Sequence, residues 1–152
     1  MRAAIALVLA FALALLAPGA AAHERILSFD ADLRIQPDGS LLVAETIVVR
    51  AEGNMIRRGI YRDFPTRYED PLGNRVEVDF ELLGAERNGQ PEAASVERIA
   101  NGVRISLGTD EFLDVPAVHR YVIRYRTTRQ LGFFDKHDEL YWNVTGLGWG
   151  FP

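Results

Sequence analysis

Alternation of apolar and polar residues with a period of two is the feature that most constrains this chain. It is clearest in residues 75–83, where apolar side chains occupy every second position and charged side chains lie between them. Residues 41–50 and 119–127 alternate in a similar way. Because successive side chains of a β-strand point to opposite faces, this pattern predicts half-buried strands. After residue 22 we find no convincing amphipathic helical pattern of useful length.

Turn signals separate these segments. Residues 37–40 read Pro-Asp-Gly-Ser, a sequence typical of a tight turn, and the strands on either side of it predict a β-hairpin. Asn-Gly pairs at 88–89 and 101–102 indicate further turns. Residues 51–74 are rich in glycine and proline, and we expect them to be irregular. About seven short strands result, which favours an all-β, antiparallel β-sandwich over a barrel or an α/β fold.

The N-terminus has the pattern of a signal peptide over residues 1–22. A positive residue, Arg2, precedes an apolar run, and Ala20 and Ala22 fit the small-residue pattern of a cleavage site. The apolar run is shorter than the roughly 20 residues that cross a bilayer as a helix. An uncleaved anchor is the alternative. Either interpretation predicts a signal helix followed by an exported domain over residues 23–152.

Composition excludes several kinds of site. The chain has no cysteine, so it has no disulfide, thiolate metal site or cysteine nucleophile. Its net charge of -4 gives no general attraction to nucleic acid, and we expect no nucleic-acid partner. The three histidines are not spaced as zinc ligands, and His119 is expected at a surface or strand edge. The charged residues 135–139 are expected at a solvated hairpin tip rather than around a cation.

No catalytic constellation stands out. None of the four serines lies in a G-x-S-x-G context, and no pair of carboxylates is marked out among the 21 acidic residues. We therefore expect no catalytic residue, no metal, no cofactor and no enzymatic activity.

An arginine-rich segment is the most unusual local feature. Arg57, Arg58, Tyr61 and Arg62 combine cations with an aromatic ring, a combination that can bind an anionic group or the carboxylates of a partner. We favour the alternative that Arg62 pairs with an internal acid and braces a loop over the sheet. Glu45 is suitable, since it falls on the otherwise apolar face of residues 41–49.

We expect core or structural roles for four residues: Glu45, Tyr125, Trp142 and Trp149.

Residues 26–45, 58–65, 119–125 and 139–149 resemble, in order, the N-terminal domain of the YciQ-like predicted membrane proteins, a bacterial family of unknown function. The resemblance implies a signal peptide, an extracytoplasmic β-rich domain and transmembrane helices that follow it. Because the chain has only the first two of these parts, we expect it to be truncated before that membrane region, or else to be a short, degenerate member of the family. The expected location is the periplasmic or extracellular face of the bacterial cytoplasmic membrane. The expected partners are the membrane, through those helices, and an envelope protein.

Three functions remain open at this point. The leading hypothesis is a non-catalytic binding or interaction module. A cell-envelope carbohydrate-active or hydrolytic domain is the second, because Tyr141, Trp142, Trp149 and Phe151 have rings on which sugars can stack. A structural spacer that supports a membrane region is the third.

Overall fold

The computed structural model describes residues 23–69, 73–142 and 149–150, so the predicted signal peptide, residues 1–22, lies outside the described part. Every regular element of the described residues is a β-strand, and all strand pairs are antiparallel. The prediction of an all-β, antiparallel fold is confirmed. The strands are β1 (Arg25–Ile35), β2 (Leu41–Ala51), β3 (Gly59–Pro65), β4 (Arg67–Glu69), β5 (Arg75–Glu77), β6 (Phe80–Arg87), β7 (Gln90–Pro91), β8 (Ala94–Ile99), β9 (Gly102–Gly108), β10 (Ala117–Thr127), β11 (Leu131–Phe133) and β12 (Asp138–Leu140).

Two sheets carry most of the structure. A five-stranded sheet has the order β1-β2-β10-β6-β7, and a three-stranded sheet has the order β3-β9-β8. The strands β4 and β5 form one two-stranded ribbon, and β11 and β12 form another. The predicted hairpin of β1 and β2 is present, with the turn closed by a hydrogen bond from the Gln36 amide to the Ser40 carbonyl oxygen at 2.8 Å.

The two larger sheets share one hydrophobic core. In β2, residues from Leu41 to Ala51 alternate strictly between buried and half-buried, as the sequence pattern predicted. The three-stranded sheet contributes the buried side chains of Ile60, Phe64 and Ile105 to the same cluster. Within β10, Tyr121 and its alternating neighbours face this core. The core therefore lies between the inner faces of the two sheets.

The strand count and two boundaries differ from the sequence prediction. The described residues contain twelve strands in four sheets instead of about seven in one sandwich. The strand predicted over residues 75–83 is interrupted, because residues 75–77 pair with β4 whereas the residues from Phe80 onward pair with β10. Residues 51–74, predicted to be irregular, contain β3 and β4. In β3 the period of two was hidden, because Arg62 occupies a buried position between Ile60 and Phe64.

His119 was also placed wrongly. It is the third residue of β10 and is buried, with its Nε2 atom 3.1 Å from the Asp114 carbonyl oxygen. The strand begins two residues earlier than predicted, so His119 lies inside it and faces the core together with Tyr121. By contrast, residues 135–139 lie at the tip region of the β11–β12 hairpin, as predicted. Within the described ranges no group of histidines and carboxylates is arranged to hold a metal ion.

Glycines at one end of the three-stranded sheet should be indispensable. Gly108 has φ +128°, and a Cβ there would lie 2.0 Å from the Arg58 carbonyl oxygen. Gly108→Ala should therefore lower the free energy of unfolding by about 3 kcal/mol or more, through backbone strain and overlap. Urea denaturation measures this. In Gly84→Ala, the control, the added methyl has open space and the change should stay within about 1 kcal/mol. Equal effects of the two substitutions would contradict the close approach of the strands.

Candidate functional site

The arginine-rich segment divides into an inner and an outer part. Arg62 lies in β3 with its side chain only 2% exposed, directed into the core between the sheets. Arg57 and Arg58 precede β3 in the loop of residues 52–58 and are exposed. Only the outer pair is therefore available to a partner at the surface.

Arg62 is held by a complete set of hydrogen bonds. Its Nε donates to Glu45 Oε2 and its Nη2 to Glu45 Oε1, both at 2.9 Å, so the pair is bidentate. Its Nη1 donates to the Asp63 carbonyl oxygen at 2.7 Å, and the guanidinium lies 5.5 Å from the centre of the Phe29 ring. Tyr125 donates its hydroxyl proton to Glu45 Oε1 at 2.9 Å. The internal pairing of Arg62 with Glu45 is thus the arrangement that the structure contains.

This triad of Arg62, Glu45 and Tyr125 joins three strands of both sheets. Burial alone would lower the pKa of Arg62, but the hydrogen bonds and negative charge of Glu45 outweigh burial, and the net pKa is raised. Burial and the adjacent Glu45 raise the pKa of Tyr125 far above its ordinary value. Arg62 therefore remains charged and Tyr125 remains a donor at physiological pH. The triad braces the fold and leaves no open position for a substrate.

Removing one member of the triad should be far more damaging than replacing all of it. Arg62→Met leaves the Glu45 carboxylate buried without its cation and should cost about 3–5 kcal/mol of unfolding free energy. The triple variant Arg62→Met, Glu45→Leu, Tyr125→Phe should recover to within about 2 kcal/mol of the wild type. Urea denaturation of both variants measures the difference.

A matched control is Arg67→Met. Arg67 pairs with Glu77 at the surface, with side-chain exposures of 53% and 66%, and its replacement should cost less than about 1 kcal/mol. If the triple variant is as unstable as Arg62→Met, the instability of Arg62→Met does not come from an unpaired buried carboxylate. The charged pair itself would then be required for stability.

The outer arginines belong to a surface formed by two loops at one end of the domain. The guanidinium carbons of Arg57 and Arg58 lie 5.3 and 4.5 Å from the centre of the Phe112 ring, which is a cation–π geometry. A hydrogen bond from the Leu113 amide to the Arg57 carbonyl oxygen, at 2.8 Å, ties the two loops together. We call the exposed residues at this end the loop-end surface. Its members are Met55, Arg57, Arg58, Phe112 and Val115.

Tyr61 is placed beside this surface but has an internal partner. Its ring lies 4.2 Å from the guanidinium carbon of Arg104, which in turn forms a bidentate ion pair with Asp63 at 2.7 and 2.8 Å. The hydrogen bond with Asp63 is the main cause of the raised pKa of Arg104. Tyr61 is half-buried on the three-stranded sheet, so its ring contributes less to a docking surface than Phe112 does.

A buried carboxylate shapes the first of the two loops. Glu24 precedes β1, and its side chain accepts backbone hydrogen bonds from Glu52, Asn54, Met55 and Ile56 at 2.6–3.2 Å. Burial by itself would raise the pKa of Glu24, but these four backbone donors outweigh it and hold the pKa below its usual 4.5. The start of the domain is thereby fixed to the loop that carries Arg57 and Arg58.

The lowered pKa of Glu24 predicts a dependence of stability on acid. A carboxyl whose pKa is lower in the folded state stabilises the fold above the unfolded pKa, and this stabilisation is lost as pH falls through the folded value. Wild type should therefore be more stable than Glu24→Gln at pH 7, and the gap should close below pH 4.5. Thermal denaturation across this pH range measures it. Glu111→Gln, an exposed control in the neighbouring loop, should be close to wild type at pH 7. A pH-independent gap would contradict the assignment.

Of the four rings considered for sugar stacking, the two tryptophans are packed and Tyr141 is exposed. Trp142 lies 5.9 Å from Phe64 between ring centres, and Trp149 lies 6.2 Å from Phe29. Both tryptophans pack against the core cluster, in line with a structural role. Tyr141 is 73% exposed. Phe151, the fourth ring considered for sugar stacking, lies outside the described residues.

Sequence reasoning missed Glu24, Met55 and Phe112. Glu24 has no local signal, since its partners are 28 to 32 residues away. Phe112 did carry a signal, because it is a large aromatic residue within a polar loop that follows Asp110 and Glu111. An isolated aromatic residue in such a loop is a candidate for a contact residue.

Comparison with known proteins places the chain in a family. The model of the family described as "Predicted membrane protein (DUF2207) N-terminal domain" matches residues 25–152. The chain is 30% identical over 129 residues to the "Uncharacterized protein YciQ" of Escherichia coli (strain K12), an alignment that covers 85% of this chain and 20% of that relative. The chain thus spans about one fifth of the relative's length. No solved structure matches. Where the structure describes the chain, it contains no helix of the length and apolarity needed to cross a membrane.

Proposed function

The chain belongs to the family of DUF2207 N-terminal domains of predicted membrane proteins, and we propose that it is a non-catalytic interaction module on the extracytoplasmic side of the membrane. The signal-peptide pattern of residues 1–22 supports this side of the membrane. The module would bind its partner through the loop-end surface. The observation that carries the proposal is that the three arginines have different environments. Arg62 is buried and bonded to Glu45, whereas Arg57 and Arg58 are exposed and lie over the Phe112 ring.

The composition of the loop-end surface supports binding. Phe112 is 62% exposed and Met55 is 61% exposed, so two large apolar side chains lie in water beside two cations. Arginine and aromatic residues are the types that contribute most to protein interfaces. The loops that carry them are fixed by Glu24 and by the Leu113–Arg57 backbone bond, which lowers the entropy lost on binding.

The two other functions receive less support from the described residues. The carbohydrate-active reading depends on rings that sugars can reach, but Trp142 and Trp149 are packed against the core cluster. Tyr141 is the exposed member of that set among the described residues, and its ring stacks on Tyr68 at 6.1 Å. A spacer would need no displayed contact residues, so Arg58 stacked over an exposed Phe112 favours a binding role instead.

Site-specific photocrosslinking in bacterial cells tests the interaction module. A photoreactive phenylalanine analogue at position 112 should form an adduct, whereas the same analogue at Leu83, a 52% exposed residue of β6, should not. Arg57→Ala together with Arg58→Ala should reduce the adduct at position 112 roughly fivefold or more, which corresponds to about 1 kcal/mol of lost binding.

Arg34→Ala together with Arg98→Ala is the matched control. Both arginines are exposed, but they lie on β1 and β8 instead of in the loop of residues 52–58. This control should leave the adduct unchanged. Equal labelling at positions 112 and 83, or labelling at 112 that is insensitive to the loss of Arg57 and Arg58, would exclude the loop-end surface as the binding site.

A further inference from the structure

The described chain starts and ends beside the loop-end surface. The Glu24 carboxylate accepts hydrogen bonds from the loop of residues 52–58, so the entry to β1 lies at this end. A Cβ at Gly150 would lie 3.1 Å from Met55 Cε and 3.4 Å from the Tyr61 hydroxyl oxygen. Residue 150 is therefore also at this end. The predicted signal segment of residues 1–22 therefore precedes the domain at this end.

The loop-end surface has the chemistry of a membrane interface. Phe112, Met55 and Val115 are 62%, 61% and 41% exposed. The guanidinium carbons of Arg57 and Arg58 lie over the Phe112 ring, at 5.3 and 4.5 Å from its centre. Apolar side chains that enter the boundary of the acyl chains, with arginines reaching the headgroups, are typical of segments that rest on a bilayer.

The opposite end of the domain lacks this combination. β10 runs from Ala117 beside the loop-end surface to Thr127 at the far end, where the β11–β12 hairpin follows. That hairpin exposes Phe133 and Phe134, and its one basic residue is Lys136. Residues 130–140 contain no arginine, and the hairpin lies at the end of the domain away from Glu24 and Gly150. The exposed aromatics of the hairpin are therefore less suited to a lipid interface.

Charge at the loop-end surface indicates how it would bind. Arg57 and Arg58 are accompanied by Asp110, Glu111 and Asp114 in the neighbouring loop, so the two loops have no excess of positive charge. Attraction to anionic lipid would be weak, and burial of apolar area would supply the driving force.

From these observations we propose that the loop-end surface docks on the lipid bilayer itself, with Phe112 and Met55 inserted at the interface and Arg57 and Arg58 at the headgroup level. This inference rests on the proposed function and names the partner of the same surface. In this orientation the end of the domain that carries Glu24 and Gly150 faces the bilayer, and the β11–β12 hairpin points away from it.

The absence of cysteine makes the test direct. In the full chain, Met55→Cys or Leu83→Cys creates a single thiol that is labelled with an environment-sensitive fluorophore. Vesicles of phosphatidylcholine should shift the emission of the label at 55 to the blue and raise its intensity about twofold or more, because the label enters an apolar boundary. The label at 83 should not respond. Since the reporter senses local insertion, a retained N-terminal segment that brings all variants to the vesicles equally does not alter the comparison.

Phe112→Ser should abolish most of the response at position 55, whereas Phe133→Ser, the control at the far end, should leave it intact. Addition of phosphatidylglycerol should change the response less than about threefold, because the loops carry no net positive charge. No response at 55, equal responses at 55 and 83, or a response that appears without vesicles as protein concentration rises would overturn the membrane assignment. The last result would indicate a second copy of the chain as the occupant.

The two proposals fail in different ways. If the label at 55 does not respond to vesicles but the crosslink at position 112 persists on a protein and still requires Arg57 and Arg58, the interaction module stands and the bilayer is not its partner. If neither the vesicle response nor a crosslink is observed, both proposals are wrong.

Discussion

The rest of this structure depends on one buried ion pair. Arg62 and Glu45 lie 2% and 0% exposed between two sheets, and their charges would be too costly to bury without each other. Tyr125 and the Asp63 carbonyl oxygen supply further hydrogen bonds to the pair. Two apolar faces can slide past each other at small cost, but a bidentate ion pair fixes their relative position to within a hydrogen bond. The pair thereby sets how β3 lies over β2.

This constraint extends to the loop-end surface. The loop of residues 52–58 connects the end of β2 to the start of β3, so the pair that fixes those strands also fixes the ends of the loop. Glu24 then holds the middle of the loop through four backbone donors. Small domains often use disulfides to hold such loops, and this chain has no cysteine. Ionic hydrogen bonds perform that task here.

The sequence predicted what local pattern controls and missed what distant partners control. The period of two in β2 and the Pro-Asp-Gly turn were sufficient for the β1–β2 hairpin, because register follows from the turn and the buried face. β3 was missed because a charged residue occupied its central core position, and only Glu45, 17 residues earlier, makes Arg62 acceptable there. The same argument applies to the role of Glu24. Glu45 could be proposed as the partner of Arg62 because it interrupts an apolar strand face, whereas nothing local marks the backbone amides that donate to Glu24.

The three neighbouring arginines therefore differ in environment because one stabilises the fold and the other two are available for contact at the surface. Arg62 stabilises the fold, and its loss would lower the free energy of unfolding without removing a surface contact. Arg57 and Arg58 make no comparable contribution, because exposed cations over an exposed ring add little to stability in water. The fold does not need these side chains, and yet they place two cations over a large ring in water. Binding to a partner explains this arrangement better than stability does. Since hydrogen bonds to Glu24 tie the backbone of their loop to the start of β1, the position of the loop is set by the fold before any contact forms.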